Sequence, residues 1–124
     1  MKLNSIYFLL SLIIILISCK PSQALPDPLL AGWKGKTVCD VVEENKTFRV
    51  LKCTFAPGVG HERHFHAPHF GYTLSGSTFR IKDTTGTREV NVPTGSSFYS
   101  KGTVWHEVLN IGDSTAVFLI MEPK

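Results

Sequence analysis

From Thr37 onward the sequence predicts an all-β domain, two antiparallel sheets rolled into a jelly-roll barrel, and three observations carry that reading. Short runs rich in β-branched and aromatic residues follow one another with no apolar stripe at helical spacing. Turn chemistry separates them: Pro57-Gly58, Ser75-Gly76, Asp83-Thr84-Thr85-Gly86, Pro93-Thr94-Gly95 and Asn110-Ile111-Gly112-Asp113. The chain has only 124 residues, and a chain of that size with so many strands hides its sheet edges most economically by curling two sheets face to face. An immunoglobulin-like sandwich has little support, because the Cys, Trp, Cys spacing it needs is missing.

The first segment does not belong to that core. Lys2 precedes an apolar run from Ile6 to Ile17 that is too short to span a bilayer as a mature helix, so residues 1–18 read as a secretory signal. Leu16, Ile17 and Ser18 ahead of Cys19 resemble the lipobox of bacterial lipoproteins, in which cleavage leaves an acylated cysteine. That reading predicts an exported domain held at the periplasmic or outer surface by a lipid on Cys19. Ser22 and Ala24 also satisfy ordinary signal cleavage after Ala24, which would release a soluble periplasmic or secreted protein, and retention of the segment as an anchor is the third alternative. Residues 19–36, with Pro21, Ser22, Pro26 and Pro28, suit a tether. The folded domain is expected over 37–124.

Within it the clearest strands are Thr37 to Val42, Phe48 to Phe55, Phe70 to Leu74, Thr78 to Lys82, Arg88 to Val92, Ser97 to Tyr99, Val104 to Leu109 and Thr115 to Met121. A hairpin centred on Lys46 sets Cys39 opposite Cys53, at a separation a disulfide can bridge. An exported protein is where such a bond persists; two buried free thiols are the alternative. Lys2 is the only charge ahead of Cys19, so loss of the signal leaves 12 basic against 10 acidic residues, net +2. That balance is too mild, and its basic residues too scattered, to indicate nucleic acid.

All five histidines fall in two places: His61, His64, His66 and His69 within nine residues, and His106 on a later strand. Neutral imidazole binds divalent transition metals, and a site needs several rings converging on one point. Side chains two apart on a strand share a face, so His64 and His66 aim together across Phe65. A lone His-x-His pair is weak, since surface pairs arise by chance. The frame around this one is stronger. Gly58, His64, His66 and Gly76 are spaced as in the first motif of the cupin superfamily, with His69 where that family usually has Glu. Gly95, His106 and Asn110 match its second motif, with Lys101 and Thr103 in place of the family's Pro and inner Gly, and Gly102 adjacent. The segment from Phe48 to Met121 thus resembles a small cupin, whose fold is a double-stranded β-helix of the jelly-roll kind.

The resemblance implies one divalent metal ion, with His64, His66 and His106 as ligands and His69 as the fourth. It also implies a small-molecule ligand or substrate and a homodimer formed by sheet packing. An all-imidazole set leaves the ion its full charge and favours Fe, Mn, Ni, Zn or Cu over Mg or Ca. The alternative for His69 is that it swings out and leaves a three-histidine face. His61 lines the mouth or sits in solvent, Phe70 and Tyr72 supply an aromatic wall to the pocket, and Glu62 and Glu107 are outward charges. Glycines at Gly58, Gly60 and Gly76 serve turns and curvature, since no helix follows to bind phosphate. Three function classes remain open: a metal-dependent enzyme such as a mononuclear dioxygenase or isomerase; a lipoprotein that binds a metal or small molecule without turnover; and a structural role with the histidines incidental.

Overall fold

A computed structural model describes residues 22–124; the signal-like run, Cys19 and its expected lipid lie outside the described residues. Strands account for all the regular structure there: β1 (Gly32–Trp33), β2 (Lys36–Thr37), β3 (Cys39–Glu44), β4 (Phe48–Phe55), β5 (Gly60–His66), β6 (His69–Ser75), β7 (Ser77–Asp83), β8 (Gly86–Val92), β9 (Ser97–Ser100), β10 (Thr103–Asn110) and β11 (Ala116–Pro123). One sheet runs β5-β10-β7-β8 and the other β3-β4-β11-β6-β9, with β1-β2 a small ribbon, and every pairing is antiparallel. This is the predicted jelly roll.

Alternation in the sequence explains which face each strand buries. On β4, Leu51, Cys53 and Phe55 point inward while Lys52 and Thr54 are exposed. They meet Ala116 and Ile120 of β11 and, from the facing sheet, Phe79 of β7. Phe55, Phe79 and Phe118 pack edge to face, with ring centroids 5.6 to 6.1 Å apart. Each such ring contributes roughly 2–3 kcal/mol of burial, and together they bind the two sheets into one core.

Asn45 closes the β3–β4 hairpin, its Oδ1 accepting hydrogen bonds from the Thr47 and Phe48 N–H groups. That turn sets Cys39 opposite Cys53, and the two sulfurs are joined, S–S 2.03 Å. Asn110 ties the other end. Fully buried, it donates to the Phe55 and Ser114 carbonyls and accepts from the Ser77 hydroxyl and the Gly112 N–H. Every polar atom of its amide is therefore used in holding loops together, and none is left for a ligand.

Much of the expected tether is part of the barrel. Phe65 N–H donates to the Pro26 carbonyl, and Asp27 pairs with Arg49, which also binds Glu122 of β11. Pro28 and Ala31 are buried, and Leu29 and Trp33 pack on the core. A proline-rich segment has no ladder of its own, but its carbonyls and one carboxylate find partners on the barrel wall. The boundary at residue 37 is thus too late by about ten residues.

Candidate metal centre and its cavity

Two β-bulges aim the histidines. Along the β5–β10 pair His66 faces Thr103, His64 faces His106 and His61 faces Val108, so β10 carries an extra residue at Val104–Trp105 and β5 one at Glu62–Arg63. The extra residue on β5 turns both His61 and His64 inward and leaves Glu62 and Arg63 exposed. On the outer side the residues of the two bulges stack, the Arg63 guanidinium 3.9 Å from the centroid of the Trp105 ring. Glu62, outward as expected, accepts the Lys34 N–H.

Three ring nitrogens meet inside. His64 Nε2 lies 2.9 Å from His66 Nε2 and 2.9 Å from His106 Nε2, and ligand atoms of the three residues all fall within 4.8 Å of one another. His64 Nδ1–H donates to the Glu62 carbonyl at 2.6 Å, which leaves its Nε2 a bare lone pair. One lone pair accepts one well-aligned hydrogen bond, yet two neighbouring nitrogens crowd it. A cation at the meeting point resolves the conflict, because it takes all three lone pairs at once. Bonds of roughly 2.1 Å at right angles would set the nitrogens about 3.0 Å apart, close to the spacing found. The residues present therefore fit one transition-metal ion. His66 Nδ1 is buried with no protein partner among the described residues, so no hydrogen bond from that nitrogen fixes the ring as the Glu62 carbonyl fixes His64.

Burial keeps these rings neutral. It lowers His106 to about 3, with the nearby His64 adding to the effect, and His61 to about 4 for the same two reasons. His64 and His66 are pushed down too, burial again being the main cause. Neutral imidazoles at pH 7 are the form a metal requires.

His69 stands beside this triad. It is buried, its ring centroid 4.4 Å from that of His66, and its Nδ1–H donates to the Ala67 carbonyl. Its Nε2 makes no hydrogen bond among the described residues, but it lies outside the cluster of three. His61 lines the cavity, as expected of a pocket residue, and is not in solvent. It is buried, stacked on His64 with centroids 3.8 Å apart, and its Nε2–H is shared by the Pro28 and Ala31 carbonyls at 3.0 and 3.3 Å. The strap from Pro26 to Trp33 is thereby latched to a ring that supports a ligand. Gly60 permits the close approach, since a Cβ there would lie 2.7 Å from the Trp33 ring and 2.4 Å from the Val108 carbonyl.

Phe70 and Tyr72 do not wall the pocket. On β6 His69, Gly71 and Thr73 face inward, and alternation sends Phe70, Tyr72 and Leu74 to the outer surface. The aromatic walls come from elsewhere. A cavity of about 480 Å³ lies between the sheets, lined by His61, His66, His69 and His106 and by the apolar Phe55, Phe79, Phe118 and Ile120, with Phe55 packed on His61 at 5.9 Å between centroids. Phe98 closes one side, its ring packed where a side chain on Gly71 would stand. Arg88, Val90 and Val92 line it from β8. Neither Asp nor Glu is among the lining residues. Arg88 shares strand parity with Val90 and Val92, which the sequence already offers, but its charge reads as solvent-facing, and in the structure it stands half-exposed at the cavity's edge.

Comparison with known proteins fits this architecture. Residues 51–122 match the family described as the cupin domain. The chain belongs to the cupin family. Its fold is similar to a cupin domain from Bordetella pertussis Tohama I, at 21% identity over 82% of this chain and 98% of that one, with a TM-score of 0.66. It is also similar to the polyketide cyclase RemF of Streptomyces resistomycificus, at 21% identity over 64% of this cupin and 56% of that chain, TM-score 0.53. KdgF from Halomonas matches at 16% identity over 69% and 77%, TM-score 0.50. These likenesses concern the fold. No curated protein matches the cupin by sequence.

Proposed function

We propose that this cupin is an exported protein that holds one divalent transition-metal ion on His64, His66 and His106 and presents it to a small organic molecule in the adjoining cavity. The convergence of three Nε2 atoms, 2.9 Å apart in two pairs, carries the reading. The ion, one of Fe, Mn, Ni, Zn or Cu, would supply Lewis-acid or one-electron chemistry. The chain's own residues orient and desolvate: Glu62 and Ala67 carbonyls fix two rings, His61 backs His64, and the phenylalanines exclude water. Export is supported by the signal-like run and by the cysteine pair, a bond that persists outside the cytoplasm.

A second reading, capture without turnover, is favoured by one observation. The cavity contains no carboxylate to act as general acid or base, so any reaction must draw on the ion or on a histidine. Metal analysis of the untagged protein tests the shared core of both readings. About one ion per chain is expected, His64→Ala or His106→Ala should reduce it to background, and His69→Ala should retain it. Full metal content in His64→Ala would overturn the assignment, and loss in His69→Ala would make the site one of four histidines. Oxygen uptake or conversion of a metabolite by the loaded protein separates enzyme from binder.

A further inference from the structure

The chemical class of the cavity's occupant can be read from its charges and walls; the argument rests on the metal reading above. Three neutral imidazoles leave a divalent ion its full charge, and no lining carboxylate offsets it. The lining cation, Arg88, half-exposed and paired with Asp83, stands at the rim and still offers its remaining N–H donors to an anion. Register places it there: in the β5-β10-β7-β8 sheet His64 stands opposite His106, His106 opposite Asp83, and Asp83 opposite Gly86, two residues from Arg88. Arg88 is thus two strand spacings across and two residues along from His106, about 12 Å of backbone, a span its long side chain can cover in part. Asp83 holds the guanidinium by a 2.6 Å contact from Arg88 Nη1 and accepts two more hydrogen bonds from Thr85, so the arginine is oriented at the rim. Asp83 is occupied with these donors, and neither it nor any other carboxylate is among the cavity's lining residues.

The rest of the lining includes a wall of opposite character, where Phe55, Phe79, Phe118 and Ile120 present only carbon. A polar or multiply charged ligand would lose its hydration against those walls and gain nothing. We infer that the cavity takes an organic monoanion with an apolar body, its charged end at the His64, His66, His106 centre within reach of Arg88 and its body against Phe55, Phe79 and Ile120. A volume of about 480 Å³ sits within the range of small-molecule sites and accommodates a fused two-ring body.

Calorimetric titration of the purified full chain loaded with Zn²⁺ tests this with three probes: 1-naphthoate, its neutral isostere 1-naphthamide, and acetate. Naphthoate should bind at least about tenfold more tightly than either, since it alone joins charge to apolar area. Arg88→Gln should weaken naphthoate about three- to tenfold and leave naphthamide unchanged. Equal affinity for naphthamide would show that charge plays no part, and equal affinity for acetate that the apolar walls play none; either overturns the inference. Zinc content of the same sample, measured first, keeps the two levels apart. A chain that retains no zinc defeats the metal reading, whereas a zinc-loaded chain that does not prefer naphthoate defeats only the ligand class.

Discussion

His61 shows what one ring outside the ligand triad does for the centre. Its Nε2–H satisfies two strap carbonyls while its face lies against His64. Replacing it with phenylalanine keeps a flat ring on His64 and removes the donor, so the Pro28 and Ala31 carbonyls lose a buried partner. A loss of about 1–3 kcal/mol follows, which for a domain of this size lowers the melting temperature by roughly 5–15 °C. Thermal unfolding of metal-free His61→Phe measures it, and an unchanged midpoint would mean that the strap is held by its other contacts, the Asp27–Arg49 pair, the Phe65–Pro26 hydrogen bond and the packing of Leu29 and Trp33. The sequence made the triad legible because His64 and His66 share strand parity and His106 falls in a second spaced motif. His61 was not legible in the same way. Its inward aim depends on the extra residue at Glu62–Arg63, and a bulge leaves no periodic trace. Phe70 and Tyr72 failed for a simpler reason: with His69 facing in, alternation puts residues one and three further along on the other side.

At the scale of elements, every strand from β3 to β11 except β5 could be placed, because Gly, Pro, Asn and Asp mark the turns and β-branched residues fill the runs between them, whereas Gly60–His66 is mostly charged residues and histidine. The strap and its two-residue strands β1 and β2 could not be placed either. Such short strands carry no period, and a proline-rich composition states what a segment cannot form without stating what it can touch. The β3–β4 hairpin is where turn chemistry and covalent chemistry coincide. Asn45 fixes the register that faces Cys39 with Cys53, and the bond closes a loop with a sequence separation of 14. Removing a constraint of that length is worth about 3 kcal/mol through the unfolded chain. Paired Cys39→Ser and Cys53→Ala substitution should therefore lower the denaturation midpoint in guanidinium without changing the strand content seen by circular dichroism. A midpoint equal to that of the parent protein would contradict the assignment of the hairpin as a covalent staple. Since both sulfurs are buried beside Phe55 and Leu51, part of the loss will be packing, so comparison with the reduced parent isolates the covalent share.

The molecule as a whole gathers neutral histidines into one core, and this ties its stability to pH. His61 titrates at about 4 and His106 at about 3 in the fold, with His64 and His66 also depressed, chiefly because burial disfavours the charged ring. An unfolded histidine takes its proton near 6.5. Above that pH neither state binds the proton, and stability is at its full value. Below it the unfolded chain gains protons that the fold refuses, so stability falls as pH falls from 6.5 towards the folded values near 3 to 4. By pH 5 His61 and His106 each cost on the order of 2 kcal/mol. The lowered carboxyls of Asp27 and Asp83 act in the same direction but only nearer pH 4 and below, so the two groups separate on the pH axis. Melting of the metal-free protein should therefore decline steeply between pH 6.5 and 5, and the paired variant His61→Phe, His106→Gln should make that limb shallower, His64 and His66 keeping part of it, while leaving the acid limb in place. Bound metal adds stability at pH 7 in proportion to the logarithm of its concentration over its dissociation constant. That increment should shrink over the same interval, because protons compete for the Nε2 lone pairs. A metal-free midpoint that stays level from pH 7.5 to 5 would show that the cluster admits protons freely, which is incompatible with a dry site built to keep three imidazoles bare.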